Sequence, residues 1–207
     1  MFGTAFLNIF YADVSSFVRC LGFTDVVFAD EFNCWKAFKA GTTLEEICGQ
    51  TRQCQGNLHE WGAANSVKFD ASKESFHVLH RTRRHGEGFR LLGLSFDEAL
   101  RMGKVCLEIA REAGWRLQSV LRPRRFFTQR QTINLYKSQV LSYVESGTPG
   151  YYHASKSVLA PIDRIQRRLL RELALTEDQA LAIYSLAPLT SRRDMAMLGF
   201  LHRTSFG

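Results

Sequence analysis

Asp30 and Glu31 stand side by side between two aromatic and β-branched segments, Phe23 to Phe28 and Phe32 to Phe38. Two carboxylates at the tip of a strand–turn–strand could help hold a divalent ion such as Mg2+. That hard cation prefers oxygen ligands and takes few from the protein itself. Phosphoryl transfer onto a hydroxyl commonly uses two such ions, about 3.5–4 Å apart. One activates the attacking oxygen and the other stabilises the leaving group. Holding both ions takes carboxylates from more than one strand, so Asp30 and Glu31 could supply only part of the site. Adjacent acids are also frequent in solvated turns, and the pair gains meaning only from the strand Val26-Val27-Phe28 before it.

Arginines form the second chemical feature. Arg122, Arg124, Arg125 and Arg130 crowd one junction, with Phe126 and Phe127 among them. Arg164, Arg167, Arg168 and Arg171 repeat at spacings that place them on one side of a helix, opposite its apolar stripe. Such guanidinium groups could follow phosphates, and the same spacing suits a solvated helix face. His77, His80 and His85 do not make a zinc site with Cys48 and Cys54, because His77 and His80 would face opposite ways in a strand. Gly86 and Gly88 lack the strand-then-helix setting of a phosphate loop.

The elements that must position these groups are legible in outline. The two segments around Asp30 and Glu31 predict a β-hairpin. Residues 5–11 predict the buried end of a helix. Thr42 with Glu45 predicts a capping box, and Leu44, Ile47, Cys48, Thr51, Cys54, Leu58 and Trp61 keep helical spacing up to a stop at Asn65. Two strands are expected at Ser75–His80 and Phe89–Ser95, joined by a basic turn. Asp97 is expected to cap a helix. Thr128 with Gln131 opens another, and Gly147 and Pro149 end it. Val158, Ile162, Ile165, Leu169 and Leu173 form a further stripe. Thr176 with Gln179 and Ser191 with Asp194 mark two final helices. The expected fold is α+β, with a small mixed part over residues 1–96 and a basic helical part over 97–207.

Charge divides the same way. Residues 1–70 carry 5 Lys and Arg against 8 Asp and Glu, a net −3, whereas residues 71–207 carry 22 against 12, a net +10. A basic half suits a polyanion, since each neutralised phosphate releases counterions. The five cysteines are odd in number and irregularly spaced, which fits reduced thiols better than a disulfide framework. No segment approaches the length of a membrane span, and the N-terminus lacks a basic region and a cleavage site. The expected setting is the interior of the cell, the nucleus included.

Phe28-Ala29-Asp30-Glu31 resembles the aromatic-x-Asp-Asp signature of reverse transcriptases, in the FADD form of LINE-type retrotransposons without long terminal repeats. Further segments resemble the same family in its order. Leu7 to Asp13 resembles the stretch after the glycine loop that contacts template and nucleotide. Asn65 to Lys73 resembles the loop carrying a lysine after the catalytic hairpin. Phe89 to Asp97 resembles the hairpin that grips the primer. Leu135 to Glu145 and Ile162 to Arg168 resemble the helical thumb and post-thumb region. The resemblance covers almost the whole chain and rests on the ordered set rather than on one motif.

It implies a partial polymerase palm over 1–96, a thumb-like region over 97–207, and an RNA template with a DNA primer as partners. Two Mg2+ ions would sit at a site including Asp30 and Glu31. Lys73 would give a proton to departing pyrophosphate. Arg122, Arg124, Arg125, Arg164, Arg167 and Arg168 would contact nucleic acid. Two departures matter. The family's first catalytic aspartate and the fingers have no counterpart in these residues; Asp13 lies on the wrong side of the 5–11 segment to replace that aspartate. Glu31 stands where the family usually has Asp, and its extra methylene can displace a carboxylate by about 1 Å, a costly shift where geometry is tight. The expectation is a reverse transcriptase fragment inactive alone. The alternatives are a non-catalytic nucleic-acid-binding relic, such as a domesticated thumb module, and a decayed reading frame.

Overall fold

The structure, a computed structural model, describes residues 9–28, 31–80, 88–91 and 93–206. The chain divides into two compact units, 1–74 and 75–207. They carry net charges of −3 and +10, so the electrostatic division of the sequence follows the structural one.

In the first unit, α1 (Ala12–Cys20) is followed by an antiparallel hairpin, β1 (Thr24–Phe28) and β2 (Glu31–Trp35), and by the long helix α2 (Leu44–Ala64). The register pairs Thr24 with Trp35 and Phe28 with Glu31. The hairpin is thus where the alternation of the sequence puts it. Its core is small: among the described residues Tyr11, Val14, Val18, Phe23 and Cys54 are buried together, with Leu21, Val27, Phe32, Leu58 and Trp61 packed around them. The Trp61 indole donates to the Asp13 carboxylate at 2.9 Å and fastens α2 to α1. Asp13 is therefore a structural residue, as its place in the sequence suggests. Of the expected helix at 5–11, residues 5–8 lie outside the described ones; Ile9 and Phe10 are exposed, while Tyr11 is buried.

Two details differ from the sequence expectation. The capping box at the head of α2 is formed by Thr43 and Glu46, not by Thr42 and Glu45. Residues 75–80 do not form a strand.

In the second unit, residues 89–95 are not a single strand. β3 (Phe89–Leu91) and β4 (Leu94–Phe96) form their own hairpin, with Phe89 opposite Phe96 and the two rings stacked 5.1 Å apart. The break falls at Gly93, whose φ of +81° suits glycine and few other residues. Leu94 and Phe96 pack on the helical core, so this hairpin belongs with the helices in the compact unit that starts at Ser75.

The helices are α3 (Gly103–Leu121), α4 (Gln129–Tyr136), α5 (Ser142–Ser146), α6 (Thr148–Tyr151), α7 (Lys156–Glu172), α8 (Glu177–Tyr184) and α9 (Leu189–Phe206). A 3-10 turn, Arg124–Phe126, links α3 to α4, and a π segment, Lys137–Leu141, links α4 to α5. α3 and α7 pack along the centre through Ile109, Ala113, Leu117, Ile162 and Leu169. The predicted capping boxes Thr128/Gln131 and Thr176/Gln179 are both present. Gly147 separates α5 from α6. Asp97 does not cap α3 at its first turn. Its carboxylate collects the amides of Ala99, Arg101 and Met102 and shapes the loop that delivers the chain to α3. Ser191 does not open a helix either, since α9 begins two residues earlier, just after Pro188. All five cysteines are free thiols, and no described helix is long and apolar enough to cross a membrane.

Candidate nucleic-acid interface

Of the acidic pair, Glu31 opens β2 with its side chain exposed, and Asp30 lies outside the described residues. Lys73 is a surface residue, 83% exposed, with its ammonium 3.8 Å from Asp70. No hydrogen bond or ion pair joins it to Glu31 among the described residues. Nor do the described residues contain a group of three or more His, Cys, Asp or Glu side chains able to hold a metal ion. Asp25, the nearest acid on β1, is committed elsewhere: its buried carboxylate accepts from Arg19 at 2.7 Å. The described part of the hairpin therefore does not assemble a Mg2+ site, and no catalytic step follows from it.

The arginines behave differently. α3 ends at Leu121, the chain turns through Pro123 into the 3-10 turn, and α7 runs alongside. This arrangement brings residues far apart in sequence onto one open cleft of about 380 Å³. Arg122, Arg124, Arg125 and Arg168 line it, together with Gln118, Leu121 and Glu172. Four guanidinium groups thus face a single carboxylate.

Their states differ. Arg124 is paired with Glu172 across the cleft. The hydrogen bond from Arg124, its positive charge and the charges of Arg168 and Arg171 hold the Glu172 carboxyl below its usual range. Glu172 is therefore ionised at neutral pH and occupies one arginine. Arg125 lies 4.7 Å from the centre of the Phe126 ring, which is itself 73% exposed. The side chains of Arg122 and Arg168 make no hydrogen bond or ion pair among the described residues, and both residues are exposed. Two guanidinium groups with unused donors beside a third on an aromatic face suit planar phosphate contacts.

Arg164 and Arg167 do not line the cleft, but they share the exposed face of α7 with Arg168 and Arg171. At 3.6 residues per turn these four fall within about 100° of arc. Ile162, Leu169 and Leu170 hold the opposite face in the core. The ridge predicted from spacing and the cluster at the α3–α4 junction meet at Arg168. Glu172 and Gln118 were not anticipated. Glu172 follows Arg168 by four residues and carries a signal of its own as a helix ion-pair position, but its partner, 48 residues away, could not be read from the sequence.

Comparison with protein-family models, curated proteins and solved structures returns no significant match for this chain. What fold and site define by themselves is a class: a two-unit α+β chain whose helical unit presents an arginine-lined cleft.

Proposed function

We propose that the chain is a piece of a LINE-type reverse transcriptase whose helical unit holds nucleic acid in the arginine-lined cleft. The observation that carries the binding reading is the convergence of Arg122, Arg124, Arg125 and Arg168 on one surface against a single acid. The polymerase reading is supported by the ordered resemblance along the chain and by a hairpin whose register places Phe28 opposite Glu31. RNA-directed DNA synthesis on a template and primer, with Mg2+ at the acidic tip, is the ancestral chemistry in this reading. In this reading the chain binds nucleic acid without polymerising, because its residues hold no counterpart of the family's first catalytic aspartate. A non-catalytic relic is the second reading: it keeps the arginine-lined cleft and needs no metal site.

Binding of labelled nucleic acid at increasing salt tests the proposal. Affinity should fall steeply with salt, and Arg122→Gln or Arg168→Gln should each weaken it and flatten the slope by about 1. Asp30→Ala should leave binding unchanged. No binding at low salt would overturn the reading. Templated primer extension by the purified chain would overturn its inactivity and restore the enzyme.

A further inference from the structure

Trp115 is 72% exposed on α3, a helix whose opposite face fills the core. A large aromatic ring usually gains its stability by burial. Here no ring or cation covers it among the described residues, whereas Phe10, Tyr11 and Trp61 all have ring partners. Its position on the helix is specific. Arg111, Trp115, Gln118 and Arg122 are all exposed and follow one another at i, i+4, i+7 and i+11. They therefore occupy about 60° of arc over about 16 Å of helix axis. Gln118 and Arg122 also line the cleft, so the strip runs from Arg111 past the indole into the arginine cluster.

We propose that this strip holds an unpaired nucleic-acid strand, with a base lying on the Trp115 ring and the backbone following Arg111 and Arg122 into the cleft. The proposal rests on the reading of the cleft as a phosphate site and adds what kind of strand enters it. A paired duplex keeps its base faces inside the stack and offers only edges and backbone to an indole on a rigid helix. An unpaired strand offers the faces, and every base has one. The charges beside the ring favour this orientation. Glu108 and Glu112 lie on the α5 side of α3, where the charges of both reach Tyr143. Glu112 pairs with Arg116 at 2.9 Å, and the Arg116 guanidinium lies 4.2 Å from the Tyr143 ring centre. Glu108 is left to repel phosphate there. The backbone is driven to the arginine side, and bases reach across to the indole.

The test uses the full 207-residue chain. Fluorescence anisotropy at one low salt concentration compares a short unstructured RNA with a blunt duplex of the same length. Trp115→Ala should weaken binding of the unpaired strand by about 5- to 150-fold, the range of a single base–aromatic stack. Trp115→Phe should recover most of it, and duplex binding should hardly change. An unaltered circular dichroism melt confirms that the exposed substitution leaves the fold intact. Arg122→Gln should weaken both ligands. If Trp115→Ala binds the unpaired strand like wild type while Arg122→Gln weakens both, stacking is wrong and the cleft stands. If Trp115→Ala weakens both ligands equally, the strip is not selective for unpaired strand and the proposal falls. If wild type binds neither, the cleft reading falls too.

Discussion

Arg193 of α9 grips Asp163 of α7 through two hydrogen bonds, 2.7 and 3.2 Å long, with its own side chain only 5% exposed. This pair ties the last helix to α7. Removing one member leaves the other charge with little water. Arg193→Ala should therefore destabilise the chain by about 3 kcal/mol, the lower end for breaking a buried pair, because Asp163 keeps some solvent contact. Chemical denaturation checks this. A loss below about 1 kcal/mol, the range of a surface pair, would show that apolar contacts alone hold α9.

Asp97 governs the approach to α3. Burial raises its pKa, but the amides of Arg101, Met102 and Ala99 outweigh burial and hold it below the usual carboxylate range. A carboxyl depressed in the folded state contributes stability that is present above its unfolded pKa and is lost as pH falls through the folded value. The acid limb of the stability curve should therefore begin below about pH 4, the unfolded value. Asp97→Asn should flatten that limb. Asp97→Ala should cost about 1–3 kcal/mol at neutral pH, since it orphans three amides in a loop where Leu100 and Met102 already hold positive φ. Thermal melts across pH for both variants measure it, and an unchanged acid limb in Asp97→Asn would assign the dependence to other carboxylates.

The head of α2 shows what the sequence can and cannot fix. Thr42 with Glu45 and Thr43 with Glu46 both satisfy the spacing of a capping box, so the pattern gives the helix but leaves its first residue open by one. The preceding turn decides. Thr42 instead donates to the Lys39 carbonyl at 2.9 Å and closes the preceding turn. Thr43→Ala should cost about 1 kcal/mol, and Thr42→Ala clearly less. The reverse order in denaturant midpoints would return the cap to Thr42.

Legibility elsewhere obeyed the same physics. Elements defined by their own residues were readable: the first hairpin from its alternation, α4 and α8 from their caps, the α7 ridge from its spacing. Features set by distant neighbours were not. Phe89 to Ser95 looks continuous because its apolar residues run on, yet it folds back on itself beside Gly93, whose φ is positive. The arginines at the α3–α4 junction and on α7 were each visible as clusters. That they share a cleft depends on α3 packing against α7, a long-range fact no local pattern encodes. The exposure of Trp115 is likewise set by what packs on the other faces of α3, which its own sequence neighbourhood does not encode.

Glycine supplies a sharp contrast inside one helix. A Cβ at Gly62 would meet the Val67 carbonyl oxygen at 2.7 Å and the Phe69 ring at 2.9 Å, whereas one at Gly56 would meet nothing within 4 Å. Both lie in α2. Gly62→Ala should destabilise by about 1–3 kcal/mol, because a backbone carbonyl cannot move aside cheaply. Gly56→Ala should stabilise by up to about 1 kcal/mol through helix propensity. Denaturation of the two variants gives opposite signs if the loop over 67–69 rests on the helix as described. A stabilising Gly62→Ala would show that it does not.

Glu172 offers the most direct test of how the cleft works. It is the one carboxylate among the cleft's arginines, and its lowered pKa keeps it ionised at neutral pH, where it holds Arg124. Glu172→Gln keeps the shape and removes the charge. Arg124 is then released to a phosphate, so affinity for nucleic acid should rise several-fold at low salt. One additional phosphate contact should also steepen the salt dependence by about 1, which makes the gain shrink as salt increases. Stability should change little, because solvent screens an exposed ion pair and the two side chains lose freedom in forming it. A gain that does not vary with salt would point to a rearranged surface, and a loss of affinity would mean that Glu172 holds Arg124 in its binding position rather than away from it.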